Sequence, residues 1–274
     1  MPYLVTATDF SEIANNAIDY ACNMANDQKI SLTIVHSYTV PVAFHDNPMP
    51  VIPMEESKQI AEEQMSKLAE ELSSKYPGLE INSELAYGDI TDHLKDMTKE
   101  AKPLAVVIGN SVSENEGFWL GGNLLTVLKS LHCPVIAIPP GYQYKKPTSI
   151  CFACDYHNIK STLPAEEVIQ LTNRTGASFH VLNIDHENKG FEANTPFEST
   201  ELHSMLKCLN PSYHYVDNED TDEGIQQFVS ENNMDWLMVM PHKHNFFEGL
   251  FHKSHTKQIV KHAKVPLVAI HDKA

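Results

Sequence analysis

Cys151-Phe152-Ala153-Cys154 has the spacing of a redox dithiol, and His252 and His255, with His242 and His244 just upstream, have side chains and spacing that suit a transition metal. Neither arrangement is completed. A redox pair sits where a helix begins after a strand, whereas this pair lies inside a strand-like run, where residues three apart point to opposite faces. Core packing is the expectation. No Cys or carboxylate stands at a recognised ligand spacing from the histidines, so no metal is expected. G-x-S-x-G, H-E-x-x-H and a complete phosphate-binding P-loop are absent, and no Ser/His/Asp set can be assembled from spacing. The residues do not indicate an enzyme.

The elements that would position any site repeat. Tyr3-Leu4-Val5-Thr6-Ala7-Thr8-Asp9 is matched by Ser149-Ile150-Cys151-Phe152-Ala153-Cys154-Asp155, each an apolar run ending at an Asp. Leu104–Gly109 answers Trp236–Met240, and His132–Ile138 answers Lys264–Ile270. Such continuous apolar runs are strands of a parallel sheet covered on both faces. Between them Ile13, Ala14, Ala17, Ile18, Ala21, Met24 and Ala25 recur at helical spacing, with Ser11 as N-cap and Glu12 as an early acid. Strands near 3–7, 30–37, 80–86, 104–109 and 134–138 alternate with helices near 11–26, 55–75, 90–101 and 121–131. In the second half, strands are expected near 149–153, 178–184, 212–216, 236–240 and 266–270, with a shorter helix around 197–208. This is the pattern of doubly wound α/β units. It implies two tandem domains, 1–140 and 147–274, joined by a Pro- and Gly-bearing linker at 141–146.

With 20 Lys and Arg against 36 Asp and Glu, the chain carries a formal charge of -16, which repels nucleic-acid phosphates and anionic lipid. Neither partner is expected. The N-terminal residues have no signal-peptide pattern, no run is long and apolar enough to span a bilayer, and five scattered cysteines do not make a disulfide framework. A cytoplasmic protein with reduced thiols is the expectation. The 15 histidines add a pH-dependent element, since protonating all of them would take the formal charge from -16 to -1.

The segment ATDFSEIANNAIDYACNMA, the later CPVIAIP and the matching HAKVPLVAI resemble the universal stress protein family, over nearly the whole chain and twice in order. The resemblance implies, for each half, a five-stranded parallel sheet in order 3-2-1-4-5 with helices on both faces. The final strands Val135–Ile138 and Leu267–Ile270 would then be apolar edges that invite aggregation unless they pair with each other, which would make the two halves an intramolecular counterpart of the family's homodimer. ATP-binding members carry a G-x2-G-x9-G-[S/T] loop after the fourth strand and an Asp after the first. Glycine there lets backbone N–H groups and a helix N-terminus close around phosphates. By that resemblance Asp9, Val35, Gly109, Gly121, Gly122 and Asn123 form a remnant nucleotide site, with Asp155 as the weaker match in the second half. Asp9 and Asp155 also read as turn or capping acids, and Val35 as core.

The loop departs from the family pattern. Val112 replaces its second glycine, Gly122 or Asn123 replaces the Ser/Thr, and Glu114 and Glu116 add charge of the wrong sign. In the second half Pro241 and the run His242, Lys243, His244 replace the first glycines, and proline has no N–H to donate. The expectation is a non-enzymatic stress-response or regulatory binding module that requires no cofactor; the alternative is an ATP-binding member, a slow ATPase at most, using the first half. His242, Lys243, His244, His252 and His255 form a candidate patch for an anion or a protein partner whose identity is unknown, or a simply solvated loop.

Overall fold

A computed structural model describes residues 2–40, 54–110, 124–186, 193–241 and 263–271. In the first half β1 (Tyr3–Thr8), α1 (Glu12–Gln28), β2 (Ser31–Tyr38), α2 (Met54–Lys75), β3 (Ile81–Tyr87), α3 (Ile90–Glu100), β4 (Ala105–Gly109), α4 (Leu124–Ser130) and β5 (Val135–Ile138) alternate. The second half has β6 (Ser149–Ala153), α5 (Ile159–Thr162), α6 (Ala165–Thr175), β7 (Ser178–Asp185), α7 (Thr195–Leu206), β8 (Ser212–Asp217), α8 (Thr221–Glu231), β9 (Trp236–Val239) and β10 (Leu267–Ala269).

All strands belong to one sheet in the order β3-β2-β1-β4-β5-β10-β9-β6-β7-β8. Pairs within each half are parallel; β5 and β10 run antiparallel with Val268 opposite Ile136. Each half reads 3-2-1-4-5 from its outer edge, so β1 and β4, and likewise β6 and β9, flank the point where the winding reverses. In open α/β sheets that crevice, at the carboxyl ends of the strands, is where ligands bind.

The inner strands are apolar throughout because helices cover both faces. Leu4, Ile34, Val107 and Ile136 join α1 in one core, while Val5, Val35, Val106 and Ile108 face α3 and α4 in another. Cys151 and Cys154 separate in the same way, one into each core, as their strand spacing requires. Burial pushes the Cys151 thiol up to about 12, the opposite of a reactive dithiol.

The halves meet through more than the sheet. Tyr20, outside the expected apolar stripe of α1, is fully buried because its hydroxyl accepts the Trp236 indole N–H at 2.8 Å. Linker residues Tyr142 and Tyr144 pack their rings against it. Asp235, just before β9, accepts from the Thr148 N–H and hydroxyl at 2.7 and 2.8 Å and pairs with Lys145 of the linker. Burial opposes ionisation of its carboxyl, but the Lys145 ammonium and the Thr148 donors outweigh that and hold it below the usual carboxylate range.

Candidate functional site

In the first half, β1 ends in a tight turn. The Asp9 carboxylate accepts the Ser11 N–H at 2.9 Å and the Thr8 hydroxyl accepts the Phe10 N–H at 2.9 Å, while Phe10 takes a left-handed φ of 63°. Ser11 then accepts from the Ala14 N–H at 3.2 Å, capping α1 as its sequence position implies. Asp9 is therefore a turn acid here, held at the carboxyl end of β1 beside the helix start. The strand register places His36 opposite Thr8, and its Nδ1 donates to the Thr8 carbonyl at 2.7 Å. Its ring packs against Phe10 at 4.6 Å. Burial lowers the His36 pKa, with the Thr8 carbonyl and Asp9 pulling the other way. Spacing along the chain does not single out His36; the β1–β2 register brings it to Asp9.

Val35 lies inside the core with Ala7, Ala86 and Ile108. Gly109 ends β4 next to β1 in the sheet. A Cβ at Gly109 would fall 2.4 Å from Ile13 Cγ2 and 2.8 Å from the Ile13 carbonyl oxygen, so glycine allows the first turn of α1 to close onto β4. Asp9 and Gly109 thus share the crevice between β1 and β4, whereas Val35 supports it from within. Gly121, Gly122 and Asn123, with Val112, Glu114 and Glu116, lie outside the described residues.

The second half repeats the turn. The Asp155 carboxylate accepts the His157 N–H at 3.1 Å, Tyr156 has φ 58°, and the Cys154 sulfur stands in for the Thr8 hydroxyl by accepting the Tyr156 N–H. Asn183 takes the place of His36, donating to the Cys154 carbonyl at 2.9 Å. Beyond the turn the likeness between the halves ends. Where α1 is continuous, Pro164 separates the single turn α5 from α6. Glu198 of α7 accepts the Ile159 N–H at 2.8 Å, so a carboxylate already sits at the helix start. Trp236 pairs with Ile150 as Ala105 pairs with Leu4, which puts buried Met240 at the position of Gly109 and Pro241 at that of Asn110. Tyr156 stacks on Tyr215, with its hydroxyl 3.3 Å from the Tyr215 hydroxyl, and burial pushes its pKa far up. His242, Lys243, His244, His252 and His255 lie outside the described residues. Among the described residues no three His, Cys, Asp or Glu side chains gather as metal ligands, and no helix is long and apolar enough to cross a membrane.

The sequence model of the Universal stress protein family matches this chain twice, over residues 3–139 and 148–271. No curated protein matches it. A universal stress protein from Archaeoglobus fulgidus DSM 4304 is similar in structure over 97% of this chain and 97% of its own, with a TM-score of 0.71 and 13% identity. A functionally unknown protein from Pseudomonas aeruginosa PAO1 is similar over 99% of this chain and 93% of its own, with a TM-score of 0.61 and 10% identity. A universal stress protein solved in complex with cAMP covers 51% of this chain and 98% of its own, with a TM-score of 0.39 and 19% identity.

Proposed function

The chain belongs to the universal stress protein family, and on that premise we propose that it is a non-enzymatic, cytoplasmic regulatory binding module whose first half alone retains a remnant nucleotide site. The observation that carries this reading is the exchange of Gly109 for Met240 at matching ends of β4 and β9. Phosphates are held where backbone N–H groups and a helix start approach closely, and the second half has a buried side chain there together with the Glu198 carboxylate. In the first half Asp9 follows β1 and Gly109 ends the neighbouring strand β4 at the winding reversal, and on this reading Gly121, Gly122 and Asn123 complete the cradle. Val112, Glu114 and Glu116 weaken it, so affinity for Mg-ATP is low and no cofactor is required.

On this reading 1–140 and 147–274 are two domains joined by 141–146, and the β5–β10 pairing is the intramolecular counterpart of the family homodimer. An apolar edge strand left open invites aggregation, which pairing the two last strands avoids. His242, Lys243, His244, His252 and His255 form the surface through which an anion or a protein partner is recognised.

The alternative, an ATP-binding member that uses the first half, is favoured by the preserved Asp9 turn and by the close approach at Gly109. Calorimetric titration with Mg-ATP separates the two. A dissociation constant well above micromolar is expected; sub-micromolar binding, or stoichiometric ATP retained through purification, would establish the alternative.

A further inference from the structure

The junction between the halves has two ends related by the repeat, and they are lined differently. At one end Trp236, Asp235 and the linker side chains Tyr142, Tyr144 and Lys145 pack around Tyr20 and Thr148. By the matching strand registers, Leu104 stands where Asp235 does and Ala105 where Trp236 does. At the other end a cavity of about 430 Å³ lies between the segments preceding β1, β4 and β5 and one face of α6. It lies at the amino ends of the first half's strands, the opposite end from Asp9 and Gly109.

Its charged lining is Lys102 from the first half and Glu167 and Arg174 from α6, the helical pair being seven residues apart and so on one face. Among the described residues neither Lys102 nor Arg174 stands within ion-pair distance of a carboxylate. The Glu167 Oε2 is shielded from solvent without a hydrogen-bond donor. Burial raises the Glu167 pKa, and Lys102 opposes that. A shielded carboxylate oxygen with no donor is costly, and that cost falls if a ligand supplies the donor while its own anionic group meets Lys102 and Arg174.

We propose that this cavity binds a small carboxylic acid that also carries a hydrogen-bond donor, the class of α-amino and α-hydroxy acids. The carboxylate lies between Lys102 and Arg174, whose planar fork suits it, and the ammonium or hydroxyl donates to Glu167. Two cations against one carboxylate leave the site with a single net positive charge, matched to a monoanionic group. A phosphate dianion carries one charge more than the site's net +1, and the chain's charge of -16 disfavours more highly charged ligands. The cavity is at the small end of the range for ligand sites, roughly 300–1,000 Å³. The proposal is independent of the nucleotide reading and involves none of its residues.

The test titrates the full chain with serine, lactate and inorganic phosphate by ligand-detected NMR and calorimetry. Serine or lactate is expected to bind, and Arg174→Gln and Lys102→Gln are each expected to weaken it by about tenfold or more. Glu167→Gln separates the donors: it weakens serine by about tenfold and leaves lactate within a few-fold. Lys102 is exposed before β4, so its variant keeps the fold even if an α6 variant does not. No binding of serine or lactate at about 10 mM, binding of phosphate alone, or affinities indifferent to Lys102→Gln would each overturn the proposal.

Discussion

Asp9 and Asp155 close the same turn, each bonding the backbone N–H two residues on across a left-handed residue, and in each half a side chain from the neighbouring strand ties down the carbonyl just before that Asp. Past the turn the halves diverge. Gly109 lets α1 seat its first turn against β4, and the helix continues unbroken to Gln28. Met240 fills the matching place, α5 stops after one turn, and Glu198 bonds its first N–H. The turn is therefore part of how the strand hands over to the helix in this fold, and the Asp alone does not mark a ligand site. Whether an anion fits is decided by the residue at the end of the fourth strand and by the charge already present at the helix start.

The asymmetry between the halves is most vulnerable at the junction. Trp236→Ala removes a fully buried indole and the donor to Tyr20, and is expected to cost about 3–5 kcal/mol in chemical denaturation. Gly109→Met, which writes the second half's residue into the first, forces Ile13 away and is expected to cost about 3 kcal/mol, with α1 losing amide protection in hydrogen exchange.

Asp235→Asn probes a contact that the first half lacks, since Leu104 occupies the matching position. Lys145 is largely exposed, so most of the effect comes from the Thr148 bonds, about 2 kcal/mol at neutral pH. The folded-state pKa of Asp235 is depressed, so its stabilisation is present above the unfolded carboxylate value, about 3.9, and is lost as pH falls through the folded value. Stability measured from pH 6 to about pH 2 should therefore fall less steeply in Asp235→Asn than in the parent below about pH 4. The smallest effect lies at the helix ends. Lys29 caps α1 with φ 53°, where Gly176 caps α6 with φ 72°, so Lys29→Gly should raise stability by about 0.5–1 kcal/mol in the same denaturation assay.

The α/β alternation, the repeat and the stripe of α1 were legible in the sequence because apolar runs and helical spacing directly report burial on two faces. The opposite facing of Cys151 and Cys154 followed from strand periodicity alone. The burial of Tyr20 was not legible, because its partner Trp236 lies in the other half and no local period encodes that contact. The break at Pro164 accords with the proline itself, which has no N–H to continue a helix from α5. For the candidate site, Asp9 and Gly109 were placed by resemblance, at the ends of the neighbouring strands β1 and β4. Their present bonds, a turn and a close helix approach, depend on registers that spacing does not give. Folding also shifts the titration of the histidines: burial lowers the pKa of His36, His180 and His214, and the charge of His214 would further disfavour protonation of His180. Neutralisation of the chain therefore extends below the pH expected for free imidazoles.

The difference between the halves is tested most directly by ligand-detected NMR with Mg-ATP at millimolar concentration on the parent chain, Asp9→Ala and Asp155→Ala. Weak binding in the parent that is lost in Asp9→Ala and kept in Asp155→Ala is the predicted result. Binding that survives Asp9→Ala and disappears in Asp155→Ala would contradict it, and would place the surviving site in the second half.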